Sequence, residues 1–158
     1  MKRSWIRHGA LVLLAVGGLA ACSPKLPETI NEAALAEAIG KSIGSPSTCV
    51  IVSDAEGRQV WRGGGYITCQ RNLPTCDGAV TTAETVLKAN IGKPARFISC
   101  PSTADGINTV GWSIGPVPTG EGKPDLKLTY VAVMEGDRAL PGLEIRERVE
   151  LAFKKAGF

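Results

Sequence analysis

The residues whose types could do chemistry are few, and the cysteines come first. The chain has five, Cys22, Cys49, Cys69, Cys76 and Cys100, and a single histidine, His8. The last four cysteines are spaced by 20, 7 and 24 residues. None of these spacings is the short C-x2-4-C knuckle of a structural zinc site, and no C-x-x-C redox pair occurs. No metal and no cofactor is therefore expected. His8 lies in an N-terminal stretch with the order of an export signal, so the working domain is expected to lack histidine altogether. A Ser-His-Asp or Cys-His catalytic arrangement, or an imidazole metal site, then cannot be built. Asp54, Glu56 and Asp105 all sit among turn residues and read as solvated turn carboxylates. Gly63, Gly64 and Gly65 could suggest a phosphate cradle, but that needs backbone N–H groups opening into a helix. These glycines follow one expected strand and lead into Tyr66, so they read as a bulge or bend.

Lys2, Arg3 and Arg7 precede an apolar run from Ala10 to Ala21. This is the order of a secretory signal, and the run is too short for a comfortable span of roughly 20 residues. It ends in Leu19-Ala20-Ala21-Cys22, which resembles the lipobox of bacterial lipoproteins. The resemblance implies cleavage before Cys22, a diacylglyceryl thioether on its sulfur and acylation of its new amino group. Several acyl chains would make the anchor stable, where one alone is marginal. Ser23 follows the cysteine where an aspartate would be the retention signal for the inner membrane. The resemblance thus implies an outer-membrane anchor facing the periplasm. The expected division is a signal over 1–21, a lipidated tether over 22–28 and one domain over 29–158.

That division changes the charge. The chain has 18 basic and 15 acidic residues and a formal charge of +3. Without Lys2, Arg3 and Arg7 the two signs balance at 15 each, which with an envelope location argues against a nucleic-acid partner. It also leaves four cysteines in an oxidising compartment, where two disulfides are the default. Three pairings are open. The short loop QRNLPT between Cys69 and Cys76 is easily closed, so the expected bridges are Cys69–Cys76 and Cys49–Cys100.

Thr29-Ile30-Asn31-Glu32 fits a capping box, with Leu35, Ala36, Ile39 and Ile43 as a helical stripe behind it. Residues 49–53 and 58–62 read as a hairpin around Asp54–Gly57, with 66–68 resuming the second strand. Thr81-Thr82-Ala83-Glu84 caps a second helix. Residues 95–100, 107–114 and 126–134 read as strands, with a turn-rich loop over 115–125. A last helix follows Gly142, with Ile145, Val149, Ala152, Phe153 and Ala156 on one face. The hairpin connections predict a two-layer α+β domain: a mainly antiparallel sheet of about five strands packed with three helices. This succession resembles the roadblock, profilin and GAF-like group, in which helices pack on a five-stranded antiparallel sheet.

The functional expectation is a non-enzymatic, lipid-anchored envelope module that binds a protein or a ligand. Trp61, Trp112 and the 115–125 loop are its candidate contact residues. The alternatives are a small envelope hydrolase using carboxylate or Ser/Lys chemistry and a sensor-like small-molecule domain. The partners implied are the membrane, through the anchor, and another envelope protein.

Overall fold

The structure is a computed structural model and describes residues 24–158. The signal, the lipobox and Cys22 lie outside the described residues. The elements run α1 (Glu32–Ile43), β1 (Thr48–Ser53), β2 (Gln59–Gly64), α2 (Tyr66–Gln70), β3 (Leu73–Pro74), β4 (Val80–Thr81), α3 (Ala83–Ala89), β5 (Arg96–Pro101), β6 (Thr109–Pro116), β7 (Thr129–Gly136) and α4 (Gly142–Ala156).

Five strands form one antiparallel sheet in the order β2-β1-β7-β6-β5, and β3 and β4 make a separate small hairpin. The sheet and the paired helices α1 and α4 make a two-layer α+β domain. The core between them holds Leu35, Ile39, Val50, Tyr130, Val149 and Phe153. The excursion between β2 and β5 covers the opposite face, where Ile51, Leu73, Leu87, Val110, Trp112 and Val131 pack. Strands β1 and β7 are central and covered on both faces, which explains why TCVIVS and TYVAVME read as continuous buried runs rather than alternating ones.

Close approach of α4 to the sheet depends on glycine. A Cβ on Gly142 would lie 2.3 Å from the Trp112 carbonyl oxygen, and one on Gly111 would lie 2.1 Å from that of Leu140. The helix can therefore rest directly on the β5–β6 backbone.

Tyr130 is the central polar group of this core. Its hydroxyl is 2.8 Å from Ser113 Oγ, and its ring stacks edge-on against Phe153 at 5.2 Å. Burial pushes the phenol up to about 12, against a smaller opposing effect of the Ser113 hydrogen bond. An unfolded tyrosine ionises near pH 10. Above that pH the folded protein keeps a proton that the unfolded chain has released, so this contribution is complete below about pH 10 and is lost towards pH 12. The expected loss is roughly 2 kcal/mol. It should appear as a falling urea midpoint in wild type and a flatter profile in Tyr130→Phe; parallel profiles would contradict it.

Several expectations are corrected. The bridges are Cys49–Cys69 and Cys76–Cys100, with Cα separations of 5.1 and 5.6 Å, not Cys69–Cys76 and Cys49–Cys100. In the sheet order β7 and β6 stand between β1 and β5, so three strand spacings of about 4.8 Å separate Cys49 from Cys100. A disulfide cannot reach that far. Residues 66–68 do not resume β2; they begin α2, a fourth helix, which packs on β1 and carries Cys69 over Cys49. The β3–β4 hairpin then carries Cys76 away from Cys69 towards β5.

Helix α1 is capped by Asn31, whose Oδ1 accepts from the Ala34 N–H at 2.9 Å. Thr29 lies in the preceding turn, and the packed domain already includes Leu26. Helix α3 is capped by Thr82 rather than Thr81, because Thr81 pairs with Leu73. Ile107 and Leu126 lie outside their strands, Ile107 in a bend and Leu126 in irregular chain. Lys127 breaks the run before Thr129 with a φ of 54°.

Candidate functional site

Strand β5 is an edge of the sheet, and its outer side has no strand beside it. The Ser102 N–H donates to the Asn108 oxygen at 2.8 Å, one pair beyond Pro101↔Thr109 in the same register. Antiparallel pairs alternate, so Arg96, Ile98 and Cys100 turn their backbone groups inward to β6. Phe97 and Ser99 turn their N–H and C=O groups outward. Pro101, which has no N–H to offer, occupies the next outward position, as edge prolines do.

The two faces of this edge differ. On the α4 side Phe97 is 43 % exposed, with the Arg146 guanidinium 5.8 Å from its ring centroid. Ser99 Oγ accepts from the Gly142 N–H at 2.8 Å, which fixes the start of α4 beside the strand. On the other side lies a cleft of about 200 Å3 between β5, α3 and the β3–β4 hairpin. Ile98, Trp112, Ile114 and Val86 give it apolar walls, while Asp77 and Arg96 stand among its polar groups. The Asp77 carboxyl is held below its usual range, chiefly by the Thr75 hydroxyl and the Ala79 N–H, with Arg96 adding a smaller attraction. Arg96 makes no hydrogen bond or ion pair with the described residues. Its guanidinium is thus available to a ligand carboxylate or carbonyl.

The Cys76–Cys100 bridge fixes the hairpin wall of the cleft to β5. Trp112 supports that wall from beneath, donating its Nε1–H to the Pro74 oxygen at 2.8 Å. Glu135 fixes the α2 end of the excursion. It is 8 % exposed, accepts from Arg71 Nη1 at 2.8 Å and accepts from Ser102 Oγ at 2.9 Å. Ser102 and Glu135 meet as a hydroxyl and a carboxylate could in a hydrolase. The second carboxylate oxygen is held by arginine, so the arrangement ties segments together rather than presenting a free base.

The tryptophans do not form a binding surface. Trp112 is fully buried and contributes only to the floor of the cleft. Trp61 is 8 % exposed and packs in the core that α1 covers, because Val52 and Trp61 pair across β1 and β2. Gly115 and Pro116 belong to β6, and the rest of the expected 115–125 loop is only partly exposed: Val117 is buried, and its N–H donates to the Leu128 oxygen at 2.9 Å. A helix does follow the three glycines, contrary to expectation. Yet the Gly65 N–H donates to the Thr48 oxygen at 2.7 Å, so it is not available to a phosphate. The space between the sheet and the α1–α4 layer is filled by Tyr130, Phe153 and Phe158 in edge-to-face contact, which leaves no room there for a sensor ligand. Among the described residues no cluster of three or more His, Cys, Asp or Glu could hold a metal ion, and no helix is long and apolar enough to cross a membrane.

Sequence reading did not single out Arg96 and Phe97 at this edge. The one local signal was Pro101 at the end of RFISCP, a residue that strands tolerate at a sheet edge. The fold and site define an α+β domain whose β5 edge, one of the two edges of the sheet, lies beside a small cleft. No protein-family model matches this chain, and no curated protein or solved structure matches it.

Proposed function

We propose that this protein is a lipid-anchored periplasmic envelope module that binds an extended segment of another envelope protein along β5. The carrying observation is the outward-facing backbone of Phe97 and Ser99 next to a cleft containing Arg96, which makes no hydrogen bond or ion pair with the described residues. A strand added there would form main-chain hydrogen bonds and place alternate side chains into the cleft and against Phe97. The cleft volume supports a protein partner over a small ligand. About 200 Å3 is below the roughly 300–1,000 Å3 of small-molecule sites, but it is room for one side chain of a segment held elsewhere by its backbone. Arg96 favours a carboxylate or a carbonyl beside that side chain.

The lipobox Leu19-Ala20-Ala21-Cys22 supports the anchor, and Ser23 supports the outer membrane as its site. The four-helix α+β arrangement with a five-stranded antiparallel sheet supports the likeness to the roadblock, profilin and GAF-like group as a fold. It carries no functional residue across.

Phe97→Pro tests the binding mode, because it removes an outward N–H while sparing the ladder to β6. Crosslinking pull-downs from intact envelopes should recover a discrete partner with wild type and lose it with Phe97→Pro and with Arg96→Glu. A partner retained by both variants would refute edge recognition. Capture of a second copy of this chain would redirect it to self-association.

A further inference from the structure

The described chain begins at Pro24 and enters the core two residues later. Leu26 and Ile30 are 6 % and 7 % exposed and belong to the cluster that contains α1, α4 and Phe158. This opening segment is fixed in place. The Ile30 N–H donates to the Pro27 oxygen at 2.9 Å, and the Asn31 N–H donates to the Ala156 oxygen at 3.0 Å. Only four residue steps separate Cys22 from Leu26, and an extended chain covers at most about 14 Å in that length. A lipid on Cys22 therefore leaves this end of the domain almost no freedom to stand away from a bilayer.

An apolar groove opens at the same end. Its volume is about 360 Å3, and Ile30, Pro124, Leu126 and Phe158 line it together with Thr29 and Thr119. Lys123 stands at this groove and donates from Nζ to the Gly157 oxygen at 2.7 Å. A second shallow groove shares Thr119 and Phe158 and adds Pro118, Lys154 and Leu151, whose side chain is half exposed. Glu121 and Glu150 also line this second groove, and Glu150 is already paired with Arg146. Apolar surface with Lys123 and Lys154 at its border, beside Glu121, suits the level of phospholipid headgroups, where the ammonium group of Lys154 can meet phosphate and the apolar side chains meet acyl chains.

We propose that the end formed by residues 24–30, the 118–126 loop and Phe158 rests on the bilayer, with the Ile30–Leu126–Phe158 groove taking an acyl chain. This rests on the lipoprotein reading and adds to it an orientation. Strand β6 leads away from the 118–126 loop, so the 102–108 turn with exposed Ile107 stands at its far end, about 25 Å along the strand. The β5 edge would then rise from the membrane side of the domain, presented to a partner in the periplasm.

The test uses the full-length protein, processed in cells and reconstituted into phosphatidylethanolamine–phosphatidylglycerol vesicles carrying tritiated phospholipid. A benzophenone amino acid replaces Thr119, Glu121 or Ile107 in separate samples, and palmitate labelling is read on each. Glu121 repeats the test at an exposed position, where folding is unaffected by the probe. The expected result is palmitate-labelled protein with a lipid adduct from positions 119 and 121 and none from 107. Palmitate labelling with adducts equal at all three positions, or absent from 119 and 121, overturns the orientation alone. Absence of palmitate overturns the anchor and the orientation together.

Discussion

Replacing Trp112 with alanine is expected to destabilise the domain by about 4 kcal/mol, the cost typical of emptying a fully buried aromatic position. Trp112 has no exposed surface and sits in the core between β6 and the excursion over it. Its indole N–H also holds the Pro74 oxygen, so the truncation frees the hairpin wall as well as opening a void. Void and cleft adjoin, since Trp112 already forms part of the cleft floor. Trp112→Phe should retain most of the packing and lose mainly the hydrogen bond, at about 1 kcal/mol. Urea denaturation of the two variants checks this. Equal effects would mean that the ring, and not the tie to Pro74, is unimportant to the core.

Removing the disulfides is the second large effect. The bridges close loops with sequence separations of 20 and 24 residues. Chain-entropy arithmetic gives about 3 kcal/mol for each. Two such losses are comparable with the whole stability of many small domains, roughly 5–15 kcal/mol. The reduced protein is thus expected to unfold at or near ambient temperature. The paired variant Cys76→Ala/Cys100→Ala should lose partner capture in addition, because that bridge fixes the cleft wall to β5. Cys49→Ala/Cys69→Ala should lower stability by a similar amount and spare capture. Non-reducing peptide mapping must find Cys49 joined to Cys69 and Cys76 joined to Cys100; a Cys69–Cys76 peptide would contradict the topology.

The disulfide outcome shows where sequence reading is strong and where it fails. Strands β1, β5, β6 and β7 and helix α4 were legible because each carries its own pattern: β-branched runs, alternation, or apolar residues at helical spacing. The antiparallel α+β construction followed from the short connections between them. Strand order was not legible, since nothing in Cys49 or Cys100 records that β7 and β6 lie between them. Helix α2 was missed because Tyr66–Gln70 is too short to show a period and contains β-branched Ile67 and Thr68. Tertiary packing over β1 and the bridge to Cys49 stabilise it instead of propensity.

The site followed the same division. Trp61 and Trp112 attracted attention as large aromatic residues, yet strand positions facing a covered layer are where such residues are buried. Arg96 and Phe97 carry the site through an edge position, which exists only once the sheet is assembled. Cys22 stands apart: the resemblance of Leu19-Ala20-Ala21-Cys22 to a lipobox is local, so the expectation it carries needs no fold.

Recognition along β5 is tested most directly by placing a benzophenone amino acid at Phe97 in the full-length protein and irradiating intact cells, with Ile107 as the control position. The expected result is one discrete high-mass adduct from position 97 that disappears when Arg96→Glu is added, and no such adduct from position 107. No adduct at 97, or the same adduct with Arg96→Glu present, would contradict it.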